Sequence, residues 1–566
     1  MNVVGIDLGT TNSMVSLYTK EGPKLIPTPT GAFETPSIVA ISKEGELIVG
    51  EAARHRLITE PECAASLFKR SMGTEKIFHV GGRELRAEEL SALILRSLRA
   101  DAERETGRPI DLAVISVPAY FNEVQRKATL DAARLAGLPA ERLVNEPTAA
   151  ALAYGIDHEG EEATYLIADL GGGTFDVSIL HTYHGIMEIR ASAGDIFFGG
   201  EDFTDAIATN FLHLLDYDPS TVDRSVKAHL RELAERAKVH LTEHDEVDVY
   251  FSTDGRVATL HMTREEFVDI TEPLVAKLRM PIQRAMADAG LENADISKVL
   301  LVGGATRMPI IRDTLHTLFD REPEGRINPV HVVSLGASIQ AGLAARHEAL
   351  EDVVLTDICP FTLGTEVVMM LTDTDFRDGY FQPIIERNTT VPVSRVQRLR
   401  TAKPDQQTVT VNIYQGESPR VEDNVHLGTL TVPLPTRRGQ LEDIDIRYTF
   451  DVSSILEVEV TVLSTGETFR TVIQGQAQPM SDAEVEERLA KLADLKIHPA
   501  QQARNVLVAE RLKAAHAFHL GEDREAIRNQ IDVFDMAIAK QDPQMIDILR
   551  RESIDLLDYL DAQKVA

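Results

Sequence analysis

Tryptophan is absent from this chain of 566 residues, cysteine occurs only at Cys63 and Cys359, and aromatic residues make up 5%. Two cysteines cannot build a disulfide framework, so the fold must rest on buried apolar area. The shortage of aromatics removes the stacking platforms on which single-stranded nucleic acid is held. Basic residues are scarce too: 58 Lys and Arg against 89 Asp and Glu give a net charge of −31. Without a basic excess to displace counterions, no nucleic-acid partner is expected. No apolar run reaches the roughly 18 residues of a membrane span, so no membrane partner is expected either. Met1 leads directly into Val3-Val4-Gly5-Ile6, with no basic and then apolar leader. That start predicts a cytoplasmic or equally reducing compartment.

The first two-thirds of the chain alternates between two patterns. Short apolar runs such as Ala113-Val114-Ile115-Ser116-Val117 and Val299-Leu300-Leu301-Val302 predict buried strands. Segments of 3.6 period, Ala87 to Glu105 and Ser225 to Leu241, predict helices, giving an α/β region. Near Ala345 the pattern changes. Val353-Val354-Leu355-Thr356-Asp357 is a short apolar run ending in a carboxylate, and clean period-2 segments follow at Thr408 to Tyr414, Asp443 to Phe450 and Ile455 to Leu463. These predict a compact antiparallel β domain. From Ser481 the periodicity is helical. Ser481 with Glu484 forms a capping box ahead of Val485, Leu489 and Leu492. Further helices are predicted over Gln502 to Leu520, from Glu522, and after Pro543. The expected division is an α/β domain over 1–350, a linker over 351–358, a β domain over 359–476 and a helical domain over 477–566.

Chemistry concentrates in two glycine-bearing turns between strands. One is Asp7-Leu8-Gly9-Thr10-Thr11-Asn12-Ser13; the other is Asp169-Leu170-Gly171-Gly172-Gly173-Thr174-Phe175-Asp176. Glycine lets backbone N–H groups approach phosphate oxygens, and the Thr and Asn side chains add neutral contacts. The aspartates Asp7, Asp169 and Asp176 suit Mg²⁺ held through water. One such turn alone would be a tight hairpin and nothing more. Two of the same design point to nucleotide phosphate and to internal duplication. A Walker A loop is absent, and no Gly-x-Gly-x-x-Gly opens a helix after a strand. A third element, Gly303-Gly304-Ala305-Thr306-Arg307, ends a buried strand, and its glycines suit a flat purine on which Arg307 could stack. Read alone, it is equally a close-packed turn. The pairs His181 with His184, and His516 with His519, gather no further metal ligands in sequence and are expected to be ordinary histidines.

These loops, together with Val117-Pro118-Ala119-Tyr120-Phe121, Asn145-Glu146-Pro147-Thr148, and Gly199-Gly200-Glu201-Asp202-Phe203, resemble the DnaK-type seventy-kilodalton heat-shock chaperones. The resemblance runs nearly end to end. It implies an actin-like ATPase of two α/β lobes, an antiparallel β-sandwich that binds peptide, and an α-helical lid. Within the family the chain looks most like the shorter, specialised bacterial HscC branch. By motif, Lys69 matches the lysine that orients the water attacking the γ-phosphate, and Glu146 the glutamate that supports that water and couples to the linker. Thr11 and Thr174 match hydroxyls near the γ-phosphate. Gly9, Thr10, Asn12, Gly171, Gly172, Gly173, Gly199, Gly200, Glu201, Gly303, Gly304 and Arg307 match nucleotide contacts. Glu235 and Lys238 resemble the adenosine clamp, with Thr242 in place of its usual serine. The implied cofactors are ATP or ADP with Mg²⁺, with K⁺ as an additional candidate ion.

The resemblance also implies a switch. Val353, Val354, Leu355 and Asp357 match the linker that docks on the ATPase lobes, with Thr356 where an apolar residue is usual. Pro118 and Arg126 match the relay to it. Arg142 and Arg126 resemble positions that meet a J-domain partner, and a nucleotide exchange factor is a further implied partner. In the β domain, Thr365, Val368, Leu399, Ala402, Val409 and Val411 match the groove for an extended client peptide. Val409 and Val411 are equally natural as sandwich core. Arg400 is expected to intrude on the groove. The polar substitutions predict a specialised chaperone. Two competing readings are a small-molecule kinase on the actin-like fold, which predicts sugar-dependent ADP release, and a filament-forming scaffold, which predicts ATP-dependent sedimentation.

Overall fold

The computed structural model describes residues 1–345, 354–474 and 503–563, apart from 42–44, 46, 141, 156–161, 184–185, 219, 254–255, 371–375, 436–438, 452–454 and 520. Two lobes are each built on a mixed sheet. The first runs in the order Arg142–Asn145, Leu112–Val117, Val3–Asp7, Asn12–Thr19, Gly22–Leu25. Its first three strands are parallel and nearly all buried, as strands covered by helices on both faces must be. The second runs Lys298–Val302, Ala163–Leu170, Phe175–Tyr183, Ile186–Asp195. In each sheet a parallel strand carries an aspartate at or next to its last residue, turns through glycine, and returns antiparallel, so the duplication expected from the two loops is present in the topology.

The helices begin and end where local chemistry directs. The Asn122 side chain accepts from Gln125 N to start Glu123–Leu135, and Asp223 accepts from Ser225 N to start Arg224–Glu243. Ala87–Thr106 buries Leu90, Ile94, Leu95 and Leu98 on one stripe and stops at Gly107, whose φ of 64° suits glycine. The helices Glu146–Gly155 and Val332–Ala344 meet backbone to backbone between the lobes. A Cβ at Gly336 would overlap the Ala149 carbonyl, so only glycine permits this approach.

The C-terminal third is a sandwich of two four-stranded antiparallel sheets followed by helices. One sheet contains Phe376–Ile385, Leu363–Met370, Thr408–Gln415 and Val425–Pro433; the other contains Val393–Arg400, Asp443–Phe450, Ile455–Val462 and Thr468–Gln474. Their inner faces share a core around Ile413, Ile446, Tyr448 and Val460. The buried Tyr448 hydroxyl is satisfied by donating to the Gly364 carbonyl at 2.9 Å. Helices Ala503–Phe518, Gly521–Lys540 and Pro543–Gln563 pack around Leu512, Ile527 and Phe534. These boundaries match the periodicity. The Ser481–Glu484 capping box, Val485, Leu489, Leu492, Val353 and His184 lie outside the described residues.

The described part of the linker is paired at both ends. Val354–Ile358 is a strand that pairs parallel with Ile186–Asp195 at the edge of the second lobe, Val354 opposite Ile186 and Leu355 opposite Met187. Its other end pairs antiparallel with Thr390–Val391 of the sandwich, Asp357 opposite Val391. One hydrogen-bonded ladder therefore runs from the second lobe into the β domain.

Candidate functional site

The turns after Asp7 and Asp169 face each other across the lobes. A Cβ on Gly173 would stand 2.7 Å from Thr10 Oγ1, which shows how near the two loops come. Between them and the Gly303-Gly304 segment lies a cleft of about 360 Å³. Asp7, Gly9, Thr10, Thr11, Asn12, Lys69, Glu146, Asp169, Gly171, Gly172 and Thr174 line its deep end. Gly200, Glu201, Glu235, Lys238, Thr242, Gly303, Gly304 and Arg307 line the remainder, with Met308, Pro329 and Val330. The last three were not singled out from sequence, being apolar residues with no chemical signature. Gly173 and Gly199 stand behind the lining. Gly199 is packed so tightly on Gly172 that a Cβ there would lie 2.6 Å from its carbonyl oxygen. Asp176 also stands behind it, 2% exposed and opposite Asp169 in the strand register.

The deep end is a dense cluster of buried charge. Lys69 Nζ donates to Glu146 Oε1 at 2.8 Å, with both side chains nearly sealed from solvent. Asp7 accepts from Ser116 Oγ at 3.2 Å. Burial, reinforced by the Glu146 charge, pushes the Asp7 carboxyl up to about 7 and that of Asp176 up to about 8. The same causes raise Asp169 well above the usual carboxylate range. Asp169 Oδ2 and Asp176 Oδ1 are buried with no hydrogen-bond partner. Several carboxylates forced together, two of them holding unpartnered oxygens, suit a hard divalent cation. Among the described residues no group of three or more His, Cys, Asp or Glu is placed to hold a metal ion by itself.

The outer end is organised by the helix Arg224–Glu243. Lys238 Nζ pairs with Glu235 at 2.6 Å and donates to the Gly200 carbonyl at 3.0 Å. Glu235 also accepts from Thr204 Oγ1 at 2.5 Å, and Glu201 is paired with Arg231. Thr242 turns its hydroxyl back onto the Lys238 carbonyl at 3.1 Å. Arg307 donates to Asn328 Oδ1 at 2.7 Å, at the rim.

The predicted relay residues form one connected chain. Arg126 donates to Asn145 Oδ1 at 2.6 Å, and Asn145 Nδ2 donates to Asp357 Oδ2 at 3.0 Å. Thr148 Oγ1 donates to the same Asp357 oxygen at 3.2 Å. Pro118 is buried at the end of the Leu112–Val117 strand, and its carbonyl accepts from Phe121 N at 3.1 Å. Arg126 is 5% exposed, which corrects the expectation that it presents a surface to a partner: it is enclosed here by the Asn145 contact and the Phe121 and Ala119 carbonyls. The Thr356 hydroxyl is buried with no partner, a penalty of about 1–3 kcal/mol that an apolar residue would not incur.

The sandwich also docks directly on both lobes, which the sequence did not predict. Arg387 forks onto Asp288 at 2.9 and 2.7 Å, and Asn388 Nδ2 donates to Asp288 at 2.9 Å. On the first lobe, Glu123 N donates to Gln415 Oε1 at 3.1 Å, and Tyr120 packs on Phe361 with ring centroids 4.9 Å apart.

The groove residues do not converge in the same way. Thr365 is 1% exposed and donates to the Asn412 carbonyl at 2.8 Å. Val411 belongs to the sandwich core, and Val409 and Leu399 pack against it. Val368 and Ala402 are exposed. Arg400 is taken up in a cross-strand fork with Asp443 at 2.5 and 3.1 Å. His181 Nδ1 shares a hydrogen bond with Thr164 Oγ1 at 3.2 Å, and His519 Nδ1 donates to the Ala515 carbonyl at 2.8 Å.

Comparison with known proteins agrees with this architecture. The family model described as Hsp70 protein matches residues 3–79 and 75–555. The chain is 40% identical over 488 residues to the chaperone protein DnaK of Thermosipho melanesiensis, covering 84% of this chain and 80% of that protein. Among the described residues no helix is long and apolar enough to cross a membrane. With the paired phosphate loops, the two-lobed fold, the sandwich and the helical region all in place, the chain belongs to the Hsp70 family: it is an ATP-dependent chaperone of the DnaK type, an ATPase that uses ATP and ADP with Mg²⁺.

Proposed function

We propose that the sandwich grips extended segments of client proteins and that ATP binding and hydrolysis in the cleft switch that grip. The observation that carries this reading is the linker strand Val354–Ile358, hydrogen-bonded into the second lobe at one end and the sandwich at the other. Asn145 holds Asp357, and Glu146, the next residue, faces the cleft. A displacement of Glu146 therefore reaches the linker across a single peptide bond.

In the cleft, Lys69 orients the attacking water and Glu146 fixes the Lys69 ammonium. Asp7, Asp169 and Asp176 would hold Mg²⁺ through water, and the ion would neutralise charge on the phosphate oxygens. Thr11 and Thr174 contact the γ-phosphate, and Glu235, Lys238 and Thr242 clamp the adenosine. The domain limits are those expected from sequence: 1–350, 351–358, 359–476 and 477–566. A J-domain partner, meeting the surface near Arg142, stimulates hydrolysis, and an exchange factor speeds ADP release. The chain works in the cytoplasm as a specialised chaperone of the HscC kind. The unpartnered Thr356 hydroxyl supports this, because it weakens linker docking relative to an apolar residue.

The test is peptide-stimulated ATP turnover of the intact chain. Extended apolar peptides should raise turnover several-fold, and Leu355→Asp should abolish that response. Turnover indifferent to every such peptide, or stimulation that survives Leu355→Asp, overturns the reading.

A further inference from the structure

The segment that supplies Lys69 is short and poorly anchored by its own secondary structure. It is a single 3₁₀ turn, Phe68–Ser71, entered through Leu67 at a φ of 58°. A turn of this kind has too few internal hydrogen bonds to hold a side chain to a few tenths of an ångström. Something else must fix it.

Consecutive residues of the turn point to different lobes. Lys69 stays within the first lobe and meets Glu146. Arg70 crosses to the second. Its Nε donates to the Gly173 carbonyl at 3.0 Å, and its Nη2 donates to Asp202 Oδ2 at 2.9 Å. Gly173 lies in the second phosphate loop. Asp202 Oδ2 also accepts from Gly199 N at 2.8 Å, closing the start of the helix Gly200–Leu214. The Gly171 and Gly172 carbonyls accept from Gly200 N and Glu201 N at 2.9 and 2.8 Å. Loop, helix start and Arg70 are thus one hydrogen-bonded unit. The Arg70 and Asp202 side chains are 20% and 24% exposed, so solvent screens the pair only in part. Arginine's planar fork fixes direction as well as distance, which lysine's single ammonium cannot do.

We propose that Arg70 is a positioning residue for hydrolysis: by clasping Gly173 and Asp202 it registers Lys69 against the second phosphate loop and holds the two lobes closed on nucleotide. The hydrolysis half rests on the Lys69 assignment above; the closure half does not. Losing the clasp lets Lys69 drift from its productive place and lets the cleft open. Both the chemical step and ADP retention suffer.

The experiment compares Arg70→Ala, Arg70→Lys, Asp202→Asn and the Arg70→Ala/Asp202→Asn double variant in the intact chain. Readouts are single-turnover ATP hydrolysis, release of a fluorescent ADP analogue and thermal denaturation. Arg70→Ala should slow hydrolysis about tenfold or more and speed ADP release by a similar factor. Arg70→Lys should recover the Tm but only part of either rate. The double variant should be no worse than Arg70→Ala alone, because both changes break one contact. Arg70→Ala or Arg70→Lys rates within twofold of wild type, or effects of the two sites that add in full, overturn the proposal. Should Lys69→Ala leave hydrolysis intact, the Lys69 assignment fails, and faster ADP release in Arg70→Ala still decides the closure half.

Discussion

The interlobe cleft and the peptide groove differ in how far their candidate residues converge. In the cleft, Asp7, Lys69, Glu146 and the Asp169–Thr174 loop come from four separate segments yet line one cavity. In the sandwich, Thr365 is pinned to its neighbouring strand, Val411 is core, and Val368 and Ala402 stand in solvent. The difference follows from the chemistry each performs. Phosphoryl transfer needs charged and hydrogen-bonding atoms at fixed points, so its residues are unusual ones in unusual places. Backbone-mediated peptide binding needs an open strand edge and an apolar pocket, and these are built from the same alternating residues as any sandwich.

The largest effect that could break this contrast is on the cleft. Lys69→Ala should slow single-turnover hydrolysis by about 100-fold or more while ATP still binds within a few-fold, because a positioned charge acts mainly in the transition state. A rate within a few-fold of wild type would place Lys69 among ordinary buried ion pairs. The groove gives the next test. Val411→Ala should cost about 1–3 kcal/mol in chemical denaturation of the sandwich, as a core deletion does. Val368→Ala should leave stability within about 0.5 kcal/mol and change peptide affinity instead. The reverse pattern would make Val411 a pocket residue and remove the contrast.

The smallest effect concerns pH at the surface where the two regions meet. Glu123 is buried between the first lobe and the sandwich, and neither carboxylate oxygen has a hydrogen-bond partner. Burial pushes it up to about 7, opposed by Arg126 and assisted by the Asp451 charge, with Gln415 and Cys359 as the remaining neighbours. A carboxyl raised in the docked state favours docking fully below its ordinary value of 4.5 and loses that contribution as pH rises through about 7. Docking of the sandwich, followed by a fluorescence pair across the linker, should therefore weaken as pH rises from about 4.5 to about 7 and level off above. Glu123→Gln should flatten that dependence. An unchanged slope in the variant assigns the pH response to other groups.

Much of the fold was legible because its signals are local. The helix Ala87–Thr106 and the strands Asp443–Phe450 and Ile455–Val462 follow directly from periodicity and turn residues. The cleft was legible through its glycines and aspartates, since few other residue types allow close approach to phosphate. What escaped were contacts between distant segments. Asp288 with Arg387 and Arg70 with Asp202 are ordinary charged residues in sequence, and nothing local marks their partners. Arg126 was matched by resemblance both to the relay and to a position that meets a J-domain partner, and its residue type does not say whether it reaches solvent. Only the fold shows it enclosed.

The sequence by itself determined the element order, the duplicated phosphate hairpins and the residue types gathered around them, because propensity, capping and glycine geometry act over a few residues. The tertiary structure alone decided that the linker becomes a shared strand of two domains, that burial and the Glu146 charge raise the carboxyls of Asp7, Asp169 and Asp176 above the usual range, and which lobe Arg70 reaches. Strand pairing, desolvation and charge coupling depend on distances between segments far apart in the chain, and those distances exist only once the chain has folded.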